Sequence, residues 1–278
     1  MRRNCRGVGR AETLAGCACV SMLFAIAATA LGGGGNGEET LTRRIRDARY
    51  AKQIHKAMIL YSRDANGVYP RPGLIDRLPV TINRRTEDIP GRGAEDVALN
   101  TTANLFSAMI AQNYFTCEMA VSPVDRNPKA AVFEGYDFDA YDPIRDAYWD
   151  DRFAADLETG SNVSYAHMPM FGGRAKAQWR ETTDRTWPIL GNRGPLAGEP
   201  DWRSYTCGPH GSWAGHVVFQ DNRVALLETM TPDEVVYELK ELERPDNIFA
   251  METGSGGSDA ILTFTRKIAT TSLEIQHD

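Results

Sequence analysis

A chain of 278 residues is long enough for a membrane segment plus one domain of moderate size, or for two small domains. Its formal net charge of −6 hides an asymmetry, because the first ten residues carry Arg2, Arg3, Arg6 and Arg10 and no acid. Cationic flanks of that kind stay on the cytoplasmic side of a membrane, and the body has no basic patch with interleaved aromatics, which excludes nucleic acid as an expected partner.

The stretch from residue 6 to 35, RGVGRAETLAGCACVSMLFAIAATALGGGG, runs apolar from residue 14 to 31 after one glutamate. Three export signals overlap in it. The spelling LAGC would make Cys17 a lipidated residue, but a lipoprotein signal needs its apolar region before the cysteine, and here that region follows. A cleaved secretory signal fits the basic start, the apolar run and the small residues AATA at 27–30. Against it, roughly 18 apolar residues is the length that spans a bilayer. The third reading uses the glutamate. MRRNCRG ends at Gly7, Val8 would become the new N-terminus, and Glu12 is then the fifth residue of an otherwise apolar helix, resembling a prepilin-type leader. A carboxylate at the edge of such a helix is costly unless it finds a partner.

After the glycine-rich break at 32–37, the segment EETLTRRIRDARYAKQIHKAMILYSRDANGVYP places Leu41, Ile45, Ala48, Ala51, Ile54, Met58, Tyr61 and Ala65 at steps of three or four. That spacing predicts an amphipathic helix. Its acidic start and the stop at Asn66-Gly67, with Pro70 beyond, delimit it. His55 reads as a surface or boundary residue without a role.

From 68 to about 128 the chain reads as loops with a short helix in NTTANLFSAMIAQNYF. The acids that follow (Asp137, Asp139, Asp142, Asp146, Asp150 and Asp151) are hard oxygen ligands of the kind calcium uses, but the spacing is not that of a calcium loop, and a solvated acidic loop is the simpler expectation. NVSYAHMPM, WPILGN, GHVVFQDNRVALLE and AILTFTRKIA read as strands. Within GHVVFQDNRVALLE, residues 220–223 predict a hairpin turn, since Asp and Asn tolerate left-handed geometry. Thr231-Pro232-Asp233-Glu234 predicts the start of a short helix.

Five cysteines occur, and only Cys117 and Cys207 lie in the body. In an oxidising compartment they form an even set that can pair, or they are two unrelated thiols. Cys207, His210 and His216, with His167 and Asp221 elsewhere, are zinc-type ligands at no standard spacing. Neither Ser204 nor Ser212 sits in a nucleophile elbow, and no glycine loop lies between a strand and a helix to cradle phosphate. Nothing in the residues supports an enzyme.

Several stretches, in order, resemble the pseudopilin-like proteins of planctomycete-type bacteria: the prepilin-type N-terminus, RDARYAKQIHKAMILYSRDANGVYP, YFTCEMAVSP, SNVSYAHMPM, TWPILGNRGP and HGSWAGHVVFQDNRVALLE. The family motif is His, nine residues, Asp-Gly. Here ten residues separate His210 from Asp221, and Asn222 replaces the glycine. The resemblance implies an α+β fold in which a long N-terminal helix, membrane segment plus amphipathic spine, packs on a small antiparallel sheet domain. It divides the chain into a leader (1–7), a transmembrane helix (8–34), a spine helix (35–66) and an exported domain (67–278). It also implies a non-enzymatic, single-pass inner-membrane subunit of a type II secretion or type IV pilus-like assembly, with its C-terminal domain in the periplasm. Its partners would be the membrane, a prepilin-type peptidase that cuts after Gly7, with methylation at Val8, and other pilin or pseudopilin subunits contacted through Glu12. Calcium binding occurs in the wider group, but no residue here matches such a site, and no cofactor is expected. The competing expectation is an exported binding module or hydrolase whose secretory signal is removed.

Overall fold

The computed structural model describes residues 36–75, 79–82, 85–88, 95–142, 145, 147–195, 213–254, 257 and 259–277. The expectations placed on Gly7, Val8, Glu12, the apolar run at 14–31, Asp146, Ser204, Cys207, His210 and Ser212 lie outside the described residues. The chain divides into two units, residues 1–45 and 46–278. Among the described residues no helix is long and apolar enough to cross a membrane.

Helix α1, Asn36–Asp64, covers the predicted amphipathic segment. Glu38 and Glu39 face the positive end of its dipole, and Arg43 pairs with Glu39 one turn away at 2.5 Å. The helix stops where Asn66 (φ 54°) and Gly67 (φ 78°) turn left-handed, which lets the amide of Gly67 donate to the Ser62 carbonyl. From Arg46 on, the buried positions are Asp47, Ala51, Ile54, His55, Ala57, Met58 and Ser62. At 100° per residue they form one stripe roughly 160° wide, from Ala57 on one flank to His55 on the other. Two sequence expectations fail here. Ile45 lies on the opposite side and is 59% exposed, whereas His55, read as a surface or boundary residue, is fully buried. The hydrophobic count missed a stripe whose members include an acid, an imidazole and a hydroxyl.

The body is a mixture of helices and small antiparallel sheets, loosely α+β. After the short helix α2 (Pro72–Ile75) comes a hairpin, β1 (Pro79–Ile82) with β2 (Arg85–Asp88), in a region expected to be loop. The predicted helix near residue 105 is α3, Thr102–Ala111, capped by the Thr101 hydroxyl accepting from the Asn104 amide. A four-residue helix, α4 (Cys117–Ala120), and a small pair, β3 (Ala155–Asp156) with β4 (Gly160–Ser161), lead into the main sheet. That sheet has four antiparallel strands in the order β5 (Tyr165–His167), β6 (Pro188–Asn192), β7 (Gly215–Phe219) and β8 (Val224–Leu227). Helix α5, Gly172–Gln178, connects β5 to β6. Residues 215–219 are buried on both faces, which is why they read as an apolar run rather than as an alternation.

Register decides which side chains share a face. Tyr165 pairs with Asn192, His167 with Leu190, and Leu190 with Val218. With the strand period of two, Tyr165, Asn192, His216, Val218 and Gln220 therefore point to the same side.

One further expectation is overturned beyond the sheet. Thr231-Pro232-Asp233-Glu234 begins no helix. The Val235 amide donates to the Pro232 carbonyl to close a turn, and the chain continues as a hairpin, β9 (Val236–Leu239) with β10 (Leu242–Pro245). Its two central residues, Lys240 (φ 53°) and Glu241 (φ 64°), take the left-handed geometry of a type I′ turn. The strand expected in AILTFTRKIA is β11, Phe264–Ile268, paired with β12, Leu273–Gln276.

Candidate functional site

Buried polar side chains gather where α1 meets the main sheet, in two nodes. At the first, Asp47 is fully buried. One of its oxygens accepts from the Ser122 hydroxyl, from Tyr165 Oη at 2.8 Å and from Asn192 Nδ2 at 3.2 Å. The other accepts from His216 Nδ1 at 2.6 Å. Because a carboxylate only accepts, that contact fixes the proton on Nδ1 of the imidazole. Asn192 closes the node by accepting from the His216 backbone amide at 2.7 Å. Burial first, and then the Asp47 carboxylate, hold the Tyr165 phenol well above its ordinary value, so it stays a donor.

The second node lies two turns further along the helix. His55 Nδ1 is 3.1 Å from Asn222 Oδ1, and its Nε2 is 3.0 Å from the Tyr69 hydroxyl. Tyr69 donates to Gln220 Oε1 at 2.7 Å, and the Gln220 amide donates to the Gln178 carbonyl at 2.5 Å. Burial lowers the His55 pKa to about 4, so the ring is neutral. The spacing of the nodes follows from element geometry. Eight helical residues from Asp47 to His55 rise about 12 Å, and four strand residues from His216 to Gln220 rise about 13 Å. Helix and strand are thus keyed together in one register.

Asp221 and Asn222 take definite places in this arrangement. A turn runs from Phe219 to Asn222, whose amide donates to the Phe219 carbonyl, and Phe219 donates in turn to the Arg223 carbonyl. Asn222 sits at φ 64°, a left-handed geometry that asparagine adopts at low cost. Its side chain does what glycine cannot, since it reaches His55. Asp221 has a local role: its Oδ1 accepts from the Arg223 amide at 2.9 Å. Gly215 has a packing reason, because a Cβ there would fall 2.6 Å from the Trp213 ring and 2.9 Å from Asn192.

The remaining candidates are not brought together. His167 is fully buried, its Nε2 2.9 Å from the Thr102 hydroxyl and its Nδ1 2.7 Å from the Met168 carbonyl. His216 is committed to Asp47. Asp150 is held by Arg152 on both oxygens and accepts from the Asp137 amide, and these bonds, Arg152 first, lower its pKa. Among the described residues no three His, Cys, Asp or Glu side chains are placed to hold a metal ion. Cys117 is a half-buried free thiol whose pKa is raised by burial, and Cys207 lies outside the described residues.

Asp47, Tyr69, Tyr165, Asn192 and Gln220 were missed in the sequence. The usable signal was polar residues at a spacing of eight inside a helical stripe, matched by His216 and Gln220 at even spacing on a strand. No family model matches the chain, and neither the curated proteins nor the solved structures give a match.

Proposed function

We propose that this protein is a non-enzymatic, pseudopilin-like subunit of a type II secretion or type IV pilus-like assembly. Residues 8–34 would be its inner-membrane helix, and the pilin-like domain that follows would lie in the periplasm. The observation that carries the reading is the pair of polar nodes, which key the amphipathic helix beginning just after the apolar run to an antiparallel sheet. A helical spine with a sheet fixed to it is what such a subunit requires.

The same nodes weigh against hydrolysis. Ser122 and Tyr165, the hydroxyls beside the Asp47–His216 pair, bond to the carboxylate and not to the imidazole, so no nucleophile–base contact is formed there. Glu12 fits an assembly role. Unpaired at the lipid boundary it would cost roughly 2 to 4 kcal/mol on insertion scales, less at shallow depth, and the α-amine of a neighbouring subunit relieves that cost.

Intact mass and N-terminal sequencing of the protein from native membranes test this directly. Mature protein starting at Val8 is expected. Gly7→Leu should block processing, and Glu12→Ala should leave insertion and folding intact while abolishing incorporation into oligomers. A mature chain that begins at or after residue 31 overturns the proposal in favour of an exported soluble protein.

A further inference from the structure

Away from the helix–sheet nodes, residues 137–141 and 148–149 wall a cleft of about 260 Å³ beside α3. Phe138, Tyr141, Tyr148 and Trp149 supply its rings, and Asp137 and Gln112 its polar groups. Two of these rings face solvent, Phe138 at 57% and Tyr141 at 53% exposure, although burying large apolar side chains is favourable. They are nonetheless braced. Phe138 packs on Tyr136 with centroids 4.9 Å apart, and Tyr136 donates to the Ser107 carbonyl at 2.6 Å. Trp149 is tied to Asn104 Oδ1 through its indole N–H at 3.1 Å.

The rings are mutually tilted. Tyr141 and Tyr148 meet at 64°, and Tyr148 and Trp149 at 47°. Tilted rings form the walls of a box, which suits a cation surrounded by π faces better than a flat sugar stacked on a platform. The charge agrees. Asp137 is on the lining, Asp139 and Asp142 follow it, and the two nearby arginines are taken up by acids, Arg145 with Asp142 and Arg152 with Asp150. The body already uses this chemistry internally, with the Arg223 guanidinium 3.9 Å over the Phe219 ring.

The matching cations are on α1. Arg46, Arg49, Lys52 and Lys56 are all exposed, at steps of three, three and four, on the side away from the buried stripe. None of them makes an ion pair among the described residues. We infer that the aromatic cleft of one copy seats a guanidinium or ammonium from the 46–56 stripe of a second copy of this chain. The inference deepens the proposed function and rests on it, since it names a contact between subunits.

The test is full-length protein in its native membrane, expressed with two different tags and with a photo-crosslinking phenylalanine at position 141. Crosslinks between the tags that map to residues 46–56 are expected. Asp137→Asn with Phe138→Ala should lower their yield about tenfold, as should excess tetramethylammonium, a competing organic cation. Crosslinks that are absent, or that map elsewhere, overturn the inference. So does cleft binding of tetramethylammonium, read as protection of position 141, without any crosslinked second copy. Because the Val8 terminus is read from the same preparation, failure of this contact is distinguishable from failure of the subunit assignment.

Discussion

At the scale of single residues, Asn222 does two things that usually need different side chains. It accepts a left-handed backbone, as glycine would, and it places a polar group against a buried histidine. Substitution separates the two. Asn222→Gly keeps the turn and removes the contact with His55, so it should cost about 1 kcal/mol, the net worth of one hydrogen bond. Asn222→Ala removes the contact and adds the strain of a Cβ at positive φ, about 1–2 kcal/mol more. Urea unfolding of the full-length protein in detergent would rank them, and an alanine variant as stable as the glycine variant would mean that the turn relaxes without cost. Asn222 thus couples the turn to His55 on the helix opposite it.

At the scale of elements, α1 and β7 are held by a carboxylate that cannot reach water. Asp47 has four side-chain donors on two oxygens, and its removal leaves the His216, Tyr165 and Asn192 groups facing one another without an acceptor. Leaving buried donors without their acceptor costs about 1–3 kcal/mol for each group that finds no new partner. Asp47→Ala should carry that cost, and Asp47→Asn should recover part of it because an amide oxygen still accepts. Hydrogen exchange would locate the effect, with lost protection expected in β7 and in residues 46–64. Uniform loss across the β11–β12 pair instead would show that the node does not act as a local lock. The helix was legible in the sequence because its apolar periodicity survives, and the main-sheet strands because they are short apolar runs, but the hairpin at 236–245 was not. There a capping pattern at Thr231 suggested a helix, and the local signal lost to strand pairing, since the residues that close the hairpin, Lys240 and Glu241, are not turn formers by type.

At the scale of the whole molecule, buried titratable groups set the response to pH. Burial lowers His55, His167 and His277 to about 4, against roughly 6.5 unfolded. A depressed histidine contributes stability above its unfolded pKa and loses it as pH falls toward the folded value. Asp246 has the opposite sign. It is fully buried with Oδ1 unpaired and Oδ2 accepting from the Ala260 amide, and burial first raises it to about 7. Its contribution is complete below about 4 and is lost as pH rises to about 7. Between pH 4 and 6.5 the unfolded chain thus takes up three protons on histidines where the native state keeps one on Asp246, so stability should rise with pH across that window. Asp246→Asn should steepen the rise and make the protein more stable at pH 8. Unfolding midpoints at pH 4.5, 6.5 and 8 check this, and a flat profile in the wild type would contradict it.

What the sequence by itself determined is the part written in local periodicity and local chemistry. The amphipathic helix and its stop at Asn66-Gly67, the short helix near residue 105, the strands of the main sheet and the Asp221-Asn222 turn each follow from a few neighbouring residues. Tertiary structure decided which polar residues are interior. Asp47 and His55 are hydrophilic by type and are penalised in any hydropathy count, and only the meeting of α1 with β5, β6 and β7 supplies the donors and acceptors that make their burial tolerable. The partners of Asp47 are 75 to 169 residues away in the chain, a separation over which no local pattern carries information. The same holds for the aromatic cleft. Its residues read as a solvated acidic loop, and the tilt between their rings exists only once the segment is folded against α3.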